Sequence, residues 1–131
     1  MKKLLAALAF VSFLASCSQE EDPVPGTDDR QKFLGSWNVD ANGSHSGHLA
    51  YAIEILSDTP SNGISMKNFD FLGNSFYTYA QVDGNSVNIP SQVINGNTIS
   101  GSGTYSNGGI HFSYSSNDGV YNDMVTATAS H

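Results

Sequence analysis

Turn-forming residues interrupt the second half of the chain at short intervals, and they limit the kind of fold it can adopt. Residues 83–85 are Asp-Gly-Asn, residues 107–109 are Asn-Gly-Gly and residues 117–119 are Asn-Asp-Gly. Gly and Asn adopt the positive φ that tight hairpin turns require. Between these turns apolar and polar residues alternate, which is the period of a strand with one buried face. The sequence therefore predicts an antiparallel sheet joined by hairpins, without long helices.

Eight short segments of this kind make up the chain from Lys32 onward. We predict strands at residues 33–39, 49–56, 64–69, 75–82, 86–89, 98–105, 110–115 and 120–129. The fifth strand is expected to end early, because Pro90 has no N–H with which to continue the pairing. Eight strands in one domain, residues 32–131, leave exposed edges unless the sheet closes on itself. The predicted fold is all-β: a small antiparallel up-and-down barrel of about eight strands, with a two-sheet sandwich as the alternative.

Aromatic side chains are the candidates for the core or for contact with a ligand. Six of them share the inferred inward parity: Trp37, Tyr51, Phe76, Tyr105, Phe112 and Tyr114. Gly101 and Gly103 share one parity of the sixth strand, where a missing side chain lets a neighbouring ring lie over the backbone. Tyr77 and Tyr79 have the opposite parity, and we expect them to form an exposed contact patch.

The first 16 residues have the three parts of an export signal. Two lysines follow Met1, residues 4–14 are apolar, and Ala15 and Ser16 are small. The apolar stretch is too short to span a bilayer, which takes about 20 residues. Residues 1–16 are therefore predicted to be a signal peptide that is removed on export.

The single cysteine of the chain follows this segment. Leu14-Ala15-Ser16-Cys17 resembles the lipobox of bacterial lipoproteins, which implies that acyl chains on Cys17 anchor the protein in a lipid bilayer. The residues that follow resemble signals for sorting to the outer membrane and for export to the cell surface: Ser18, Gln19, Glu20, Glu21 and Asp22. The alternative is that these charges belong to a solvated tether on the periplasmic face. We expect residues 17–31 to form an acidic, disordered tether.

The balance of charge excludes one class of partner. The chain has 12 Asp and Glu against 5 Lys and Arg, a formal net charge of −7. Nucleic-acid binding needs a basic patch, and Arg30, Lys32 and Lys67 are too few to form one. We therefore expect no nucleic-acid partner, and we expect membrane attachment through acyl chains alone.

The polar residues include one candidate metal-binding pair. His45 and His48 are close enough in sequence to chelate a metal, and Asp40 could add an oxygen. They lie in a glycine-rich segment that does not preorganise ligands, and no cysteine joins them. No nucleophile, base and orienting group can be placed together. We therefore expect no metal, no cofactor and no enzymatic activity.

The opening strand carries a family resemblance. Residues 33–39, Phe-Leu-Gly-Ser-Trp-Asn-Val, resemble the Gly-x-Trp strand of lipocalins and of small calycin-like bacterial lipoproteins. Residues 87–92, 99–105 and 110–114 are similar to the second half of those lipoproteins. The resemblance implies a calycin-like barrel in which Trp37 closes one end. The basic side chain that stacks on the lipocalin Trp has no counterpart, because no Arg or Lys follows Lys67.

Two functions are compatible with these observations. The first is a surface-displayed lipoprotein whose barrel binds a small apolar or glycan ligand. The alternative is an accessory or structural lipoprotein that docks on an outer-membrane protein complex. An internal cavity of roughly 300 Å³ or more would favour the first. A barrel filled by its own side chains, with Tyr77 and Tyr79 exposed, would favour the second.

Overall fold

In the computed structural model, which describes residues 28–131, eight strands form one closed antiparallel barrel. The strands are β1 (Gly35–Gly43), β2 (Gly47–Asp58), β3 (Gly63–Lys67), β4 (Tyr77–Asp83), β5 (Ser86–Ile94), β6 (Asn97–Ser106), β7 (Gly109–Asn117) and β8 (Asn122–Ser130). Each strand pairs with the next in sequence, and β8 pairs with β1. The predicted up-and-down barrel is confirmed, and the sandwich alternative is wrong.

The proposed signal peptide, the lipidation site Cys17 and the acidic residues after it lie outside the described residues. Within residues 28–131, none of the helical segments has the length and the apolar character that a membrane span requires.

The interior of the barrel is filled by the alternating apolar residues of the strands. Trp37, Val39 and Ala41 of β1 are buried, for example, and the residues between them are exposed. All eight strands contribute to one cluster of 20 buried apolar side chains, which also includes Phe33 and Phe69 from outside the strands. The core is therefore continuous from one end of the barrel to the other.

One end of the barrel, here called the entry end, is covered by the segment before β1. Residues Asp29–Lys32 form a 3₁₀ turn, and the Arg30 guanidinium donates to the carbonyl oxygens of Asp58 (2.9 Å) and Gly63 (3.1 Å). Phe33 is fully buried beneath this turn. Residues 28–31, expected to belong to the tether, are thus part of the folded domain.

The opposite end, here called the distal end, is covered by residues 68–76 between β3 and β4. Asn68, Asp70 and Phe71 have φ values of 64°, 60° and 58°, a left-handed conformation that is uncommon outside glycine. This backbone path turns the Phe69 ring into the barrel, where its centroid lies 5.2 Å from that of Phe112 and 4.7 Å from that of Tyr114. Phe69 therefore completes the core at the distal end.

Pro90 does not end β5, contrary to the prediction. The strand continues to Ile94, and its register with β6 shifts between Ile89 and Gln92. The shift is a β-bulge, in which two residues of one strand oppose one residue of its partner. The bulge allows the strand to continue past a proline that cannot donate to the ladder.

Gly101 and Gly103 have the role that their parity indicated. Gly101 pairs with Tyr114 and Gly103 pairs with Phe112 on β7. A Cβ on Gly103 would lie 2.8 Å from Cδ1 of the Phe112 ring, and one on Gly101 would overlap the backbone and Cβ of Tyr114. The Phe112 ring, and the Cα and Cβ atoms of Tyr114, therefore occupy the space that side chains on β6 would otherwise fill.

Candidate functional site

Exposed apolar side chains are concentrated at the distal end. Among the described residues, eight large apolar side chains are exposed, and Leu56 is the one that lies near the entry end. The other seven, here called the apolar rim, lie in the distal turns or on the strand residues next to them: Phe71, Phe76, Tyr77, Val93, Val120, Tyr121 and Met124. A one-sided concentration of exposed apolar residues is typical of an interaction surface.

Of the predicted contact pair, Tyr77 lies at this end. Tyr77 and Tyr79 both point outward from β4, and Tyr77 is 46% exposed while Tyr79 is half-buried. The Tyr79 ring lies over Gly63 of the neighbouring strand, because a Cβ on that glycine would be 3.0 Å from the ring. Tyr77 is therefore the more accessible member of the pair.

The six aromatics expected on the inner face do not all lie there. Trp37, Phe112 and Tyr114 are buried, and Tyr51 and Tyr105 are partly buried against the core. Phe76 was wrongly assigned, since it precedes β4, is 36% exposed and belongs to the apolar rim. The strand begins two residues later than predicted, because residues 68–76 form the cover over the distal end.

Trp37 packs at the entry end, as the Gly-x-Trp pattern implies. It is buried, and its indole Nε1 donates to the Phe33 carbonyl oxygen at 2.8 Å. The imidazole of His131 stacks on the indole, with centroids 3.9 Å apart and an interplanar angle of 28°. The side chain that covers this indole is therefore the imidazole of His131, and not an Arg or Lys as in lipocalins.

A polar cleft of about 200 Å³ also opens at the distal end. Its lining combines carboxylates, an amide and hydroxyls with two aromatic rings and one leucine: His45, Ser46, Leu49, Asp70, Asn97, Ser116, Asp118, Tyr121 and Asp123. The Tyr121 ring stacks on the His45 ring, with centroids 3.7 Å apart. The cleft therefore offers an aromatic side chain and several hydrogen-bond acceptors together.

Two carboxylates hold the loops of this cleft in place. Asp118 accepts from the backbone N–H groups of Tyr121 and Val120, both at 2.8 Å, and these hydrogen bonds lower the pKa of Asp118. Burial raises the pKa of Asp123, but hydrogen bonds from Ser46 and His45 outweigh this effect and leave it below its usual value. The turn that joins β1 to β2, which contains His45 and Ser46, is thus tied to β8.

Asp70 lies deeper, where the distal cover meets β7. Its two carboxylate oxygens accept from the hydroxyls of Tyr114 and Ser116, each at 2.7 Å. Burial raises the pKa of Asp70, and the two hydroxyls oppose that effect in part. Burial also raises the pKa of Tyr51 to about 12, and the Tyr51 hydroxyl is the buried side-chain polar atom without a hydrogen-bond partner among the described residues.

The histidines considered as metal ligands do not come together. His48 Nε2 is hydrogen-bonded to Asp40 Oδ1 on the outer face. His45 stacks on Tyr121 in the distal cleft. Among residues 28–131, no three His, Cys, Asp or Glu side chains are arranged to hold a metal ion.

Comparison with known proteins places the chain by its fold alone. No protein-family model matches it, and no curated protein matches it in sequence. Among solved structures, a redesigned beta barrel is similar, with a TM-score of 0.58 over 79% of this chain and 94% of that chain. The two share 8% sequence identity. This likeness supports the barrel architecture and carries no information on ligands.

Two residues of the distal end were not found from the sequence. Asp70 interrupts an apolar run, Phe69-Asp70-Phe71-Leu72, which is the signal that could have indicated a buried carboxylate. Gln92 follows Pro90 by two residues. A polar residue next to a strand proline is a signal that could have indicated a compensating hydrogen bond.

Proposed function

We propose that this protein is an accessory lipoprotein, anchored in the outer membrane through Cys17, that docks on an outer-membrane protein complex through its apolar rim. The observation that carries the proposal is the position of seven exposed apolar side chains at one end of the barrel. Aromatic residues and Met are enriched where proteins contact one another. The rim contains three aromatic rings besides Tyr121, together with Met124 and two valines.

The filled interior favours a surface function over a ligand inside the barrel. The core cluster includes side chains from all eight strands, with Phe33 and Phe69 covering the two ends. Sites for small ligands are typically concave cavities of about 300–1,000 Å³ that enclose most of the ligand. Capture of a small apolar ligand in the interior would require these side chains to move apart.

The direction of the chain gives the rim a suitable orientation. The described residues begin at Asp28, which caps the 3₁₀ turn at the entry end. The rim is at the opposite end of the barrel. An anchor at Cys17 would therefore be joined to the end of the barrel opposite the rim, which leaves the rim accessible to a partner protein.

Site-specific photo-crosslinking in intact cells tests docking. A photoreactive phenylalanine analogue would replace Tyr77, Val93 or Val120 of the rim, or in matched controls the exposed Ser57 or Thr104. We expect a discrete adduct with one protein at the three rim positions and none at the two controls. The same adducts at all five positions, or none at the rim, would contradict the proposal.

The anchor and its location have separate tests. Cys17→Ala should leave the protein in soluble fractions without acyl label, because the chain has no other thiol.

Replacing Glu20, Glu21 and Asp22 together by Ala should make the protein resistant to protease added to intact cells, if these residues direct surface export. Unchanged sensitivity would mean that they are tether residues only.

Glycan binding in the distal cleft is the second candidate. The apolar face of a sugar ring can stack on an aromatic side chain such as Tyr121, which is 52% exposed, while sugar hydroxyls donate to carboxylates. Tyr121→Ala should abolish retention on a glycan array, and Tyr77→Ser should not. If the Tyr77 variant loses a protein partner, whether or not the Tyr121 variant does so too, docking is the function. If only the Tyr121 variant loses a ligand, it is glycan binding.

A further inference from the structure

The barrel wall is incompletely paired between β4 and β5. In the described structure three residue pairs join these strands: Gln81 with Asn88, Val82 with Val87, and Asp83 with Ser86. Toward the distal end, residues 77–80 of β4 have no paired residue in β5. We call the space between residues 77–80 and residues 89–94 the β4–β5 seam.

Pro90 explains why the pairing stops. Continuing the observed register would place Pro90 opposite Tyr79, at a position where each residue of the pair donates and accepts one hydrogen bond. Proline has no N–H to donate to the Tyr79 carbonyl. The β4–β5 ladder therefore ends at Gln81 and Asn88, and a bulge follows Ile89 in the pairing of β5 with β6.

The side chain of Gln92 makes the two hydrogen bonds that a strand residue would make. Its Oε1 accepts from the Tyr79 N–H at 2.9 Å, and its Nε2 donates to the Tyr79 carbonyl at 2.8 Å. Nε2 also donates to the Pro90 carbonyl at 2.8 Å. A primary amide thus occupies the position of one peptide group beside β4, and it is held on a side chain that can rotate away.

We propose that the β4–β5 seam binds an extended segment of the partner protein, which pairs with β4 in place of the Gln92 amide. This inference rests on the proposed docking function and specifies its mode. An added strand gains affinity from backbone hydrogen bonds and specificity from alternate side chains.

The surroundings of the seam define the segment. Tyr77 and Val93 are exposed on its two sides, and Phe76 precedes β4. Apolar residues at alternate positions of the segment would pack against these side chains. Asp83 is the one charged residue of β4 and β5, and Lys67, which lies opposite Tyr77, is paired with Glu54 at 3.9 Å. A neutral or basic segment is therefore favoured over an acidic one. The occupant is therefore a short strand with alternating apolar residues and basic flanks.

A synthetic strand provides a defined probe. The probe is a fluorescein-labelled peptide with the sequence of residues 86–94, with valine in place of proline and two lysines at each end. Its binding to the folded barrel is measured by fluorescence anisotropy. A second peptide with the same side chains has N-methyl groups on alternate backbone nitrogens, which removes the donors that a ladder needs.

Two substitutions in the barrel should change the affinity for the probe in opposite directions. Gln92→Ala removes the competing amide, and we expect it to tighten binding of the probe about tenfold. Pro90→Val supplies an N–H opposite Tyr79, so that β5 can pair with β4, and we expect binding to weaken about tenfold. Ser102→Ala, an exposed change on β6, is the matched control and should leave binding unchanged. Thermal unfolding of each variant checks that the barrel is folded.

The proposal is overturned if the N-methylated peptide binds as well as the probe, or if the Gln92 and Pro90 variants bind the probe with equal affinity. Its failure is distinguishable from failure of the docking function. If the rim positions crosslink a partner as efficiently in the Pro90→Val protein, docking is retained and strand addition is wrong. If the probe binds the seam but no rim position crosslinks a protein, strand addition is retained and docking is wrong.

Discussion

Trp37 is a large buried residue at the entry end of the barrel, and the stability of that end depends on its packing. It is 1% exposed, packs in the core and hydrogen-bonds the Phe33 carbonyl. Trp37→Ala should lower the free energy of unfolding by about 3–5 kcal/mol, because it removes a large ring from a packed site. Chemical denaturation measures this cost. His131→Ala, which removes only the exposed ring stacked on the indole, should cost much less; equal effects would contradict a core role for Trp37.

The carboxyl group of Asp70 makes the stability of the folded chain depend on pH. Burial raises its pKa above the ordinary value of 3.8, so ionisation is less favourable in the folded than in the unfolded chain. Its contribution to stability is therefore greatest below pH 3.8 and decreases as pH rises through the folded pKa. Asp70→Asn should abolish this decrease, as measured by unfolding at several pH values. Asp118→Asn should act in the opposite direction, since the pKa of Asp118 is lowered.

At the scale of elements, β6 and β7 pack closely because the glycines of β6 lie opposite the aromatic residues of β7. Gly103→Ala should lower the free energy of unfolding by about 1–3 kcal/mol, because the new methyl group meets the Phe112 ring. Gly101→Ala should cost more, since the atoms it meets include the backbone of β7, which cannot move without breaking the ladder. Ser102→Ala lies between them and points outward, so it should change stability by less than about 0.5 kcal/mol. Equal effects of all three would show that the inward face of β6 is not tightly packed.

At the scale of the whole molecule, stability should fall in acid. Arg30 holds the pKa of Asp28 at about 2, and hydrogen bonds lower those of Asp58, Asp118 and Asp123. Depressed carboxyl pKa values contribute stability above the unfolded value of 3.8, and that stability is lost as pH falls toward 2. The thermal unfolding midpoint, followed by circular dichroism, should therefore drop between about pH 4 and pH 2. Asp28→Asn should make this drop smaller. A midpoint that is constant to pH 2 would contradict the role of these contacts.

Strand number, strand order and the inward face were predictable because they depend on neighbours in sequence. Alternation of apolar residues fixes which face is buried, and positive φ at Gly84, Asn107 and Gly108 fixes where hairpins turn. The burial of Trp37 followed from its position on the inner parity. Closure into a barrel was inferred from the number of short strands, and the structure confirms it.

The contacts of the distal end depend on long-range pairing, and the sequence alone could not place them. Phe71, Val93 and Met124 lie at the same end because each strand runs antiparallel to the next, which brings alternate turns to one end of the barrel. Asp70 meets Tyr114 and Ser116 across more than 40 residues of sequence. The Gln92 bond to Tyr79 depends on a one-residue bulge. The alternation of apolar residues thus determined the strands and their buried face. Only the tertiary structure decided which side chains meet at the distal end, because those contacts join residues that are far apart in sequence.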